Sequence, residues 1–349
     1  MGGTCKENCS KSCYCFSNGN INTTNNQESF NKNFESRLPQ LGQCIEENQF
    51  KRKIPEQVLK YITDKKYKKP DLIIINENVF EKGPIKLIDN NDIYKGSWNE
   101  NFEKEGYGQY YMETEQKFFE GTWEKNKLIH GRIFYQNGDM YEGFIKDFNC
   151  QGKGIIVLKS GDKYIGDFNE GRREGKGKYI YSDRTTYEGQ FMNNKFHGHG
   201  VMKWTTDEIY EGEFSQGYFN NQGKLIGKNR EQYEGNFKNN YYDGQGKYTF
   251  EDGSTYEGSY VLSLRNGKGI FIKKNNEFSY EGNWVDDYAN GSGTFIKGDV
   301  TIEGTWQNGL YGVNNGGQSE QINNNILNFS SKIPNINLIP RRLPHMNKN

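Results

Sequence analysis

The sequence predicts an all-β fold of tandem hairpins, and three observations carry that prediction. A residue series runs Tyr94, Phe119, Tyr141, Tyr164, Tyr187, Tyr210, Tyr233, Tyr256, Tyr280 and Ile302, in steps of 22 to 25 residues. A fixed period in this range marks a repeat architecture. Glycine stands two places after every member, from Gly96 to Gly304. The fourth place after is aromatic in nine of ten units (Trp98, Trp123, Phe168, Phe191, Phe214, Phe237, Tyr260, Trp284 and Trp306), with Ile145 the exception.

Within one unit, Tyr187, Gly189 and Phe191 are spaced by two, so a strand presents them on one face and Glu188 and Gln190 on the other. Tyr141 and Gly143, then Tyr233, Gly235 and Phe237, then Tyr256 and Gly258 repeat the arrangement. A partner strand is expected to start at Gly198-x-Gly200. Glycine weakens a strand unless a neighbouring ring fills the missing side chain, so rings of one strand are expected over glycines of the other. Asn137-Gly138, Ser160-Gly161 and Asp252-Gly253 stand three residues before the next tyrosine and are expected to form the tight turns that link units. Each unit is thus a β-hairpin laid beside the next.

The pattern Y-x-G-x-[FWY], with G-x-G eleven residues after the tyrosine on a 23-residue period, resembles the MORN repeat (membrane occupation and recognition nexus). The resemblance covers residues 93–313 and about ten units. Departures are local: Phe119 is followed by His130-Gly131-Arg132, Tyr210 by Asn221-Gln222-Gly223, the first unit puts its glycines at Gly106 and Gly108, and the Ile302 unit stops within its second strand. The resemblance implies an elongated, single-layer antiparallel sheet used for scaffolding and contact. At about 4.8 Å per strand, ten two-strand units give a rod on the order of 100 Å long.

Composition agrees with a thin sheet. Mean hydropathy is −0.99, and of the 33% hydrophobic residues nearly half are rings, at 15% aromatic. Formal charge is zero overall, divided as +2 for residues 1–92, −5 for 93–313 and +3 for 314–349. The repeats lack the basic stripe that nucleic acid or anionic lipid would want, so no nucleic-acid partner is expected and direct phosphoinositide binding is the least favoured function.

Residues 1–49 read as a polar, largely disordered tail. Met1-Gly2 meets the entry requirement for myristoylation of Gly2, with Lys6 standing where Ser or Thr is preferred. One myristoyl chain anchors only marginally, and Cys5, Cys9, Cys13 and Cys15 supply candidate second acylation sites. As metal ligands these cysteines have an unusual spacing and no nearby histidine, so neither metal nor cofactor is expected. No secretory h-region and no run of 18 apolar residues appears, which points to a cytoplasmic, peripheral membrane location with reduced thiols.

Residues 50–92 form a basic amphipathic segment and an N-terminal cap. Lys51, Arg52, Lys53, Lys60, Lys65, Lys66, Lys68 and Lys69 surround Ile54, Val58, Leu59 and Ile62 at helical spacing, a second electrostatic contact for a membrane. Leu72-Ile73-Ile74-Ile75 is expected as a strand that covers the edge of the first repeat. Residues 314–349 are a low-complexity tail.

Glu120, Glu142, Glu188, Glu211, Glu234, Glu257, Glu281 and Glu303 share one place in the unit, and Lys153, Lys176 and Lys268 fill the centre of G-x-G. Cross-strand pairing on a solvated face is favoured over a dedicated recognition ladder. No nucleophile elbow, Walker loop or histidine cluster is present, so the chain is read as no enzyme. The expected function is a scaffold or adaptor tethered to a membrane through an acylated N-terminus, linking it to cytoskeletal or signalling partners along the repeats. The alternative is a soluble structural component of a cilium, axoneme or basal body, an assignment that rests on analogy with the family.

Overall fold

The computed structural model describes residues 91–312, together with residues 51, 52, 54, 56, 86 and 87. The expectations for residues 1–49, for most of 50–92, including residues 72–75, and for 314–349 lie outside the described residues. The chain divides into two compact units, one ending at Glu174 and the other starting at Gly175.

In the first unit, β1 (Lys86–Leu87), β2 (Ile93–Trp98), β3 (Lys104–Met112), β4 (Lys117–Glu124), β5 (Lys127–Phe134), β6 (Met140–Lys146), β7 (Asn149–Val157) and β8 (Lys163–Asn169) pair antiparallel, each with the next. The strand that covers the edge of β2 is therefore Lys86–Leu87.

The second unit begins within β9 (Arg172–Ile180). It continues through β10 (Thr186–Met192), β11 (Lys195–Lys203), β12 (Ile209–Ser215), β13 (Tyr218–Ile226), β14 (Gln232–Lys238) and β15 (Tyr241–Thr249). Then follow β16 (Thr255–Val261), β17 (Leu264–Ile272), β18 (Ser279–Val285), β19 (Tyr288–Lys297), β20 (Val300–Gln307) and β21 (Leu310–Gly312). Here too every strand pairs antiparallel with its successor in the chain. Each unit is one open antiparallel sheet.

One local expectation is corrected and one is met with an addition. The strand carrying G-x-G begins three residues earlier than expected: β11 starts at Lys195 and brings Phe196 opposite Phe191. Asn137-Gly138, Ser160-Gly161 and Asp252-Gly253 do form turns that link units, and a further, two-residue turn lies inside the unit, between Tyr187 and the glycines that follow. Asn193 and Asn194 have φ of 49° and 68°, and Met192 faces Lys195 across them. Two successive left-handed residues make a type I′ turn, whose twist matches that of the flanking strands. Six of the links between units are three-residue loops, closed at Tyr135, Leu158, Tyr181, Trp204, Gly227 and Phe250. At Asn137-Gly138 the Tyr135 amide donates to the Asp139 carbonyl at 3.0 Å, and Gly138, with φ 94°, occupies the left-handed third place.

Candidate interaction surface of the repeats

One side chain organises the inner face of each hairpin. Tyr187 is fully buried, and its ring lies across Gly189 of its own strand and Gly200 of the partner. A Cβ on Gly189 would stand 2.5 Å from the Tyr187 hydroxyl and 2.6 Å from the Gly200 Cα. A Cβ on Gly200 would stand 2.6 Å from the ring. Glycine is required at both places because the ring takes the volume of two side chains. The ladder slips immediately beyond this pair, between Gly189 and Gln190. A bulge leaves a backbone group without a ladder partner, and the Tyr187 hydroxyl donates to the Gln190 carbonyl at 2.8 Å. Tyr94, Tyr141, Tyr164, Tyr210, Tyr233, Tyr256 and Tyr280 make the same bond to the third residue on, at 2.6 to 3.3 Å. Phe119 has no hydroxyl to give. Its hairpin carries the bulge one step later, between Thr122 and Trp123, and pairs Gly121 with Gly131.

The ninth place after the tyrosine forms a second inner position. Phe196, Phe219 and Tyr242 stack on Tyr187, Tyr210 and Tyr233 with centroids 3.8, 3.7 and 3.7 Å apart. Other units fill it differently. Arg173 lies over Tyr164 at 5.9 Å, and Arg265 over Tyr256 and Trp284 at 5.6 and 4.6 Å. Leu128 and Cys150 pair with Trp123 and Ile145 from the same position. In the longer first unit Lys104 takes the part, its ammonium 4.4 to 5.3 Å from the rings of Tyr94, Tyr110 and Trp123. Burial pushes that ammonium down to about 8, against a smaller opposing pull from Asp92. Burial pushes the Cys150 thiol up to about 11, beyond the help of its Tyr135 hydrogen bond.

The same residue is held by the hairpin that follows. The Asn240 side chain accepts from the Phe219 amide at 2.7 Å, and the Asn240 amide donates back to the Phe219 carbonyl at 3.1 Å. Asn126 holds Lys104 in this way, Ser263 holds Tyr242, and Asp287 holds Arg265. At Arg265 the clasp is ionic and buried: its Nε donates to Asp287 Oδ1 at 2.8 Å and its Nη2 to the Asp287 carbonyl at 3.0 Å.

The outer face is polar and organised in columns. Glu188, Glu234 and Glu257 each face a lysine on the neighbouring strand, Lys178, Lys224 and Lys247, at 3.3 to 3.6 Å. All six are well exposed, so each pair contributes only about 0–1 kcal/mol. Glu120 differs: it is fully buried, and Arg132 lies between it and Glu142 at 3.4 and 2.9 Å. Beside the charged column runs a ladder of amides and hydroxyls, with Gln222 donating to Asn236 at 2.8 Å and Gln245 to Ser259 at 2.7 Å. Over β15 to β20 this face is concave and encloses about 970 Å³ above a floor of Gly258, Gly269, Gly282 and Gly293.

Tyr141, Gly143, Tyr187, Gly189, Phe191, Gly198, Gly200, Tyr233, Gly235, Phe237, Tyr256 and Gly258 all lie in strands of the repeats. Gly198 stands apart from the other glycines of the set: it takes φ 56°, and a Cβ there would meet the Gln190 side chain on the outer face. Lys51 and Arg52 are exposed, whereas Gly2, the four cysteines Cys5, Cys9, Cys13 and Cys15, and Lys53, Lys60, Lys65, Lys66, Lys68 and Lys69 lie outside the described residues. Sequence reasoning missed the ninth-place residue and its clasp. Among the described residues no helix is long and apolar enough to cross a membrane.

Among solved structures the chain is similar to the SAS-4 (dCPAP) TCP domain of Drosophila melanogaster in complex with a proline-rich motif of Ana2 (dSTIL). Identity is 15% over 42% of this chain and 79% of that one, with a TM-score of 0.27. It is also similar to the G-box domain of the microcephaly protein CPAP, at 9% identity over 58% of this chain and 94% of that one, with a TM-score of 0.30. No curated protein sequence matches the chain. The model of the MORN repeat matches six times, at residues 164–186, 187–207, 210–231, 233–255, 256–277 and 280–299. These spans follow the hairpins built around Tyr164, Tyr187, Tyr210, Tyr233, Tyr256 and Tyr280, so residues 164–299 of the chain are six MORN repeats.

Proposed function

We propose that this repeat scaffold is tethered to the cytosolic face of a membrane through acylation of Gly2 and of Cys5, Cys9, Cys13 and Cys15, and that its repeats carry protein partners linking the membrane to cytoskeletal or signalling assemblies. The observation that carries the scaffold reading is the division of the hairpins into two faces. One face is consumed by tyrosine–glycine packing, and the other presents charged and amide columns along the repeats, joined over the later units by an exposed apolar one. Such a surface suits contact over a length more than the enclosure of a reacting substrate. Met1-Gly2 with four early cysteines supports the tether, because a weak myristoyl contact brings thiols to the membrane for stable acylation. Lys51, Arg52, Lys53, Lys60, Lys65, Lys66, Lys68 and Lys69 add an attraction to anionic lipid that salt screens.

Sedimentation of the full chain from cells at low and high ionic strength tests the tether. Gly2→Ala is expected to move the protein to the soluble fraction. Replacing the four cysteines together is expected to leave a loosely bound form that high salt releases. If Gly2→Ala protein pellets like the wild type but is released when microtubules are depolymerised, the tether is wrong and a cytoskeletal component takes its place.

A further inference from the structure

The second unit carries an apolar column that its own packing does not use. At the eighth place after each repeat residue stand Tyr218, Tyr241, Leu264, Tyr288 and Leu310, which are 49, 39, 39, 44 and 51% exposed. Each is the first residue after the hairpin turn on the outer face, opposite Ser215, Lys238, Val261, Val285 and Gln307 respectively. Val261 and Val285 are themselves about half exposed, at 48 and 44%. In the preceding units the same place holds Lys127, Asn149, Arg172 and Lys195, so the column is a property of this stretch and no requirement of the repeat.

An acidic column runs parallel to it. Glu257 is paired with Lys247. Glu281 faces Ile270 and Thr294 across its two ladders, and Glu303 faces Thr294. Among the cations lining this concavity only Lys268 remains to balance those two carboxylates. Val285 and Glu281 lie four residues apart on β18, so the apolar and acidic columns are separated by about 13 Å.

We propose that this face docks an α-helix that lies along the repeats, with apolar residues seven apart and lysine or arginine along one flank. Pitch permits a helix, and width selects it. Two strands advance by about 9.6 Å per unit, and one heptad of helix advances about 10.5 Å, so five anchors span about 38 Å on the sheet and about 42 Å on the helix. A helix is about 10–12 Å across with its side chains, enough to touch the apolar column and bring basic side chains to Glu281 and Glu303. A single extended or polyproline strand running the same way covers one column only. The inference rests on the reading of the repeats as a carrier of protein partners and names the class of partner.

The test uses the full chain and a labelled synthetic peptide of five heptads, with leucine at the first place of each heptad and lysine at the fifth, followed by fluorescence anisotropy. Saturable binding is expected. The triple variant Tyr218→Ser, Tyr241→Ser, Tyr288→Ser should weaken it at least tenfold while circular dichroism stays unchanged. Glu281→Lys with Glu303→Lys should weaken the lysine peptide and favour one with glutamate in its place. Absence of saturable binding overturns the inference, as does equal binding of a peptide whose leucines are respaced to six and eight. If a proline-rich extended peptide binds instead, the helix is wrong while the scaffold reading stands; the sedimentation of Gly2→Ala is indifferent to either result.

Discussion

The Tyr233 hydroxyl donates to the Asn236 carbonyl at 2.8 Å while the same ring lies over Gly235 and Gly246. One side chain therefore fills the glycine pair and satisfies the carbonyl freed by the slip between Gly235 and Phe237. Tyr233→Phe keeps the ring and loses the bond. It is expected to cost about 1 kcal/mol, read as a lower denaturant midpoint with an unchanged slope.

Gly235→Val and Glu234→Ala separate the two faces. A Cβ at Gly235 would stand 2.5 Å from the Gln245 carbonyl and 2.8 Å from the Tyr233 hydroxyl, so valine is expected to cost about 1–3 kcal/mol or more. Glu234 loses only an exposed pair with Lys224 at 3.4 Å, a cost of about 0–1 kcal/mol. Equal melting temperatures would show that the assignment of faces is wrong.

Arg265 and Asp287 form the buried clasp between two hairpins, and Arg265→Ala strands the carboxylate, at an expected cost of about 3–5 kcal/mol. Two units earlier the same two positions hold Phe219 and Asn240. The double variant Arg265→Phe, Asp287→Asn is expected to recover most of that loss. Chemical denaturation of the two variants side by side decides it.

Leu262 has φ 50° and is 61% exposed, in the turn place where Asn193 and Asn239 stand in earlier units. A left-handed leucine costs about 1–2 kcal/mol, a conformation that asparagine visits more readily. Leu262→Asn is expected to raise the melting temperature, by a gain of up to about 1 kcal/mol.

Burial raises the pKa of the repeat tyrosines, with Tyr280 pushed up to about 12 and Tyr210, Tyr233 and Tyr256 higher still. A phenol whose folded value lies above its unfolded value, near 10, binds more protons when folded in that interval. Stability is then full below pH 10 and falls as pH rises through 10 to 12. Tyrosinate absorbance is expected to appear together with loss of β-structure, in one cooperative step.

The tyrosine, the glycine two places on and the fourth-place ring were legible because the same chemistry recurs in nearly every unit. The ninth place was not: Leu128, Cys150, Arg173, Phe196, Phe219, Tyr242, Arg265 and Ala289 share no hydropathy, only a register created by the bulge. The turns were hidden for a similar reason. Asn193-Asn194, Leu262-Ser263 and Asp286-Asp287 adopt one backbone shape with unlike residues, and the ladder enforces what local preference does not. The Asn-Gly and Asp-Gly pairs drew attention to the longer loops instead.

The clasp that ties Phe219, Tyr242 and Arg265 to the following turn spans only 21 or 22 residues of chain. Every fastening in the second unit is therefore between immediate neighbours, as in a one-dimensional lattice of coupled cells. Under tension applied at one end, such a lattice yields like a zip: the terminal hairpin peels first and the next is exposed to the full load. Each event frees about 23 residues, or about 75 Å of contour, so a scaffold of this build lengthens in even steps under pulling and reseals from its intact end when the load is removed.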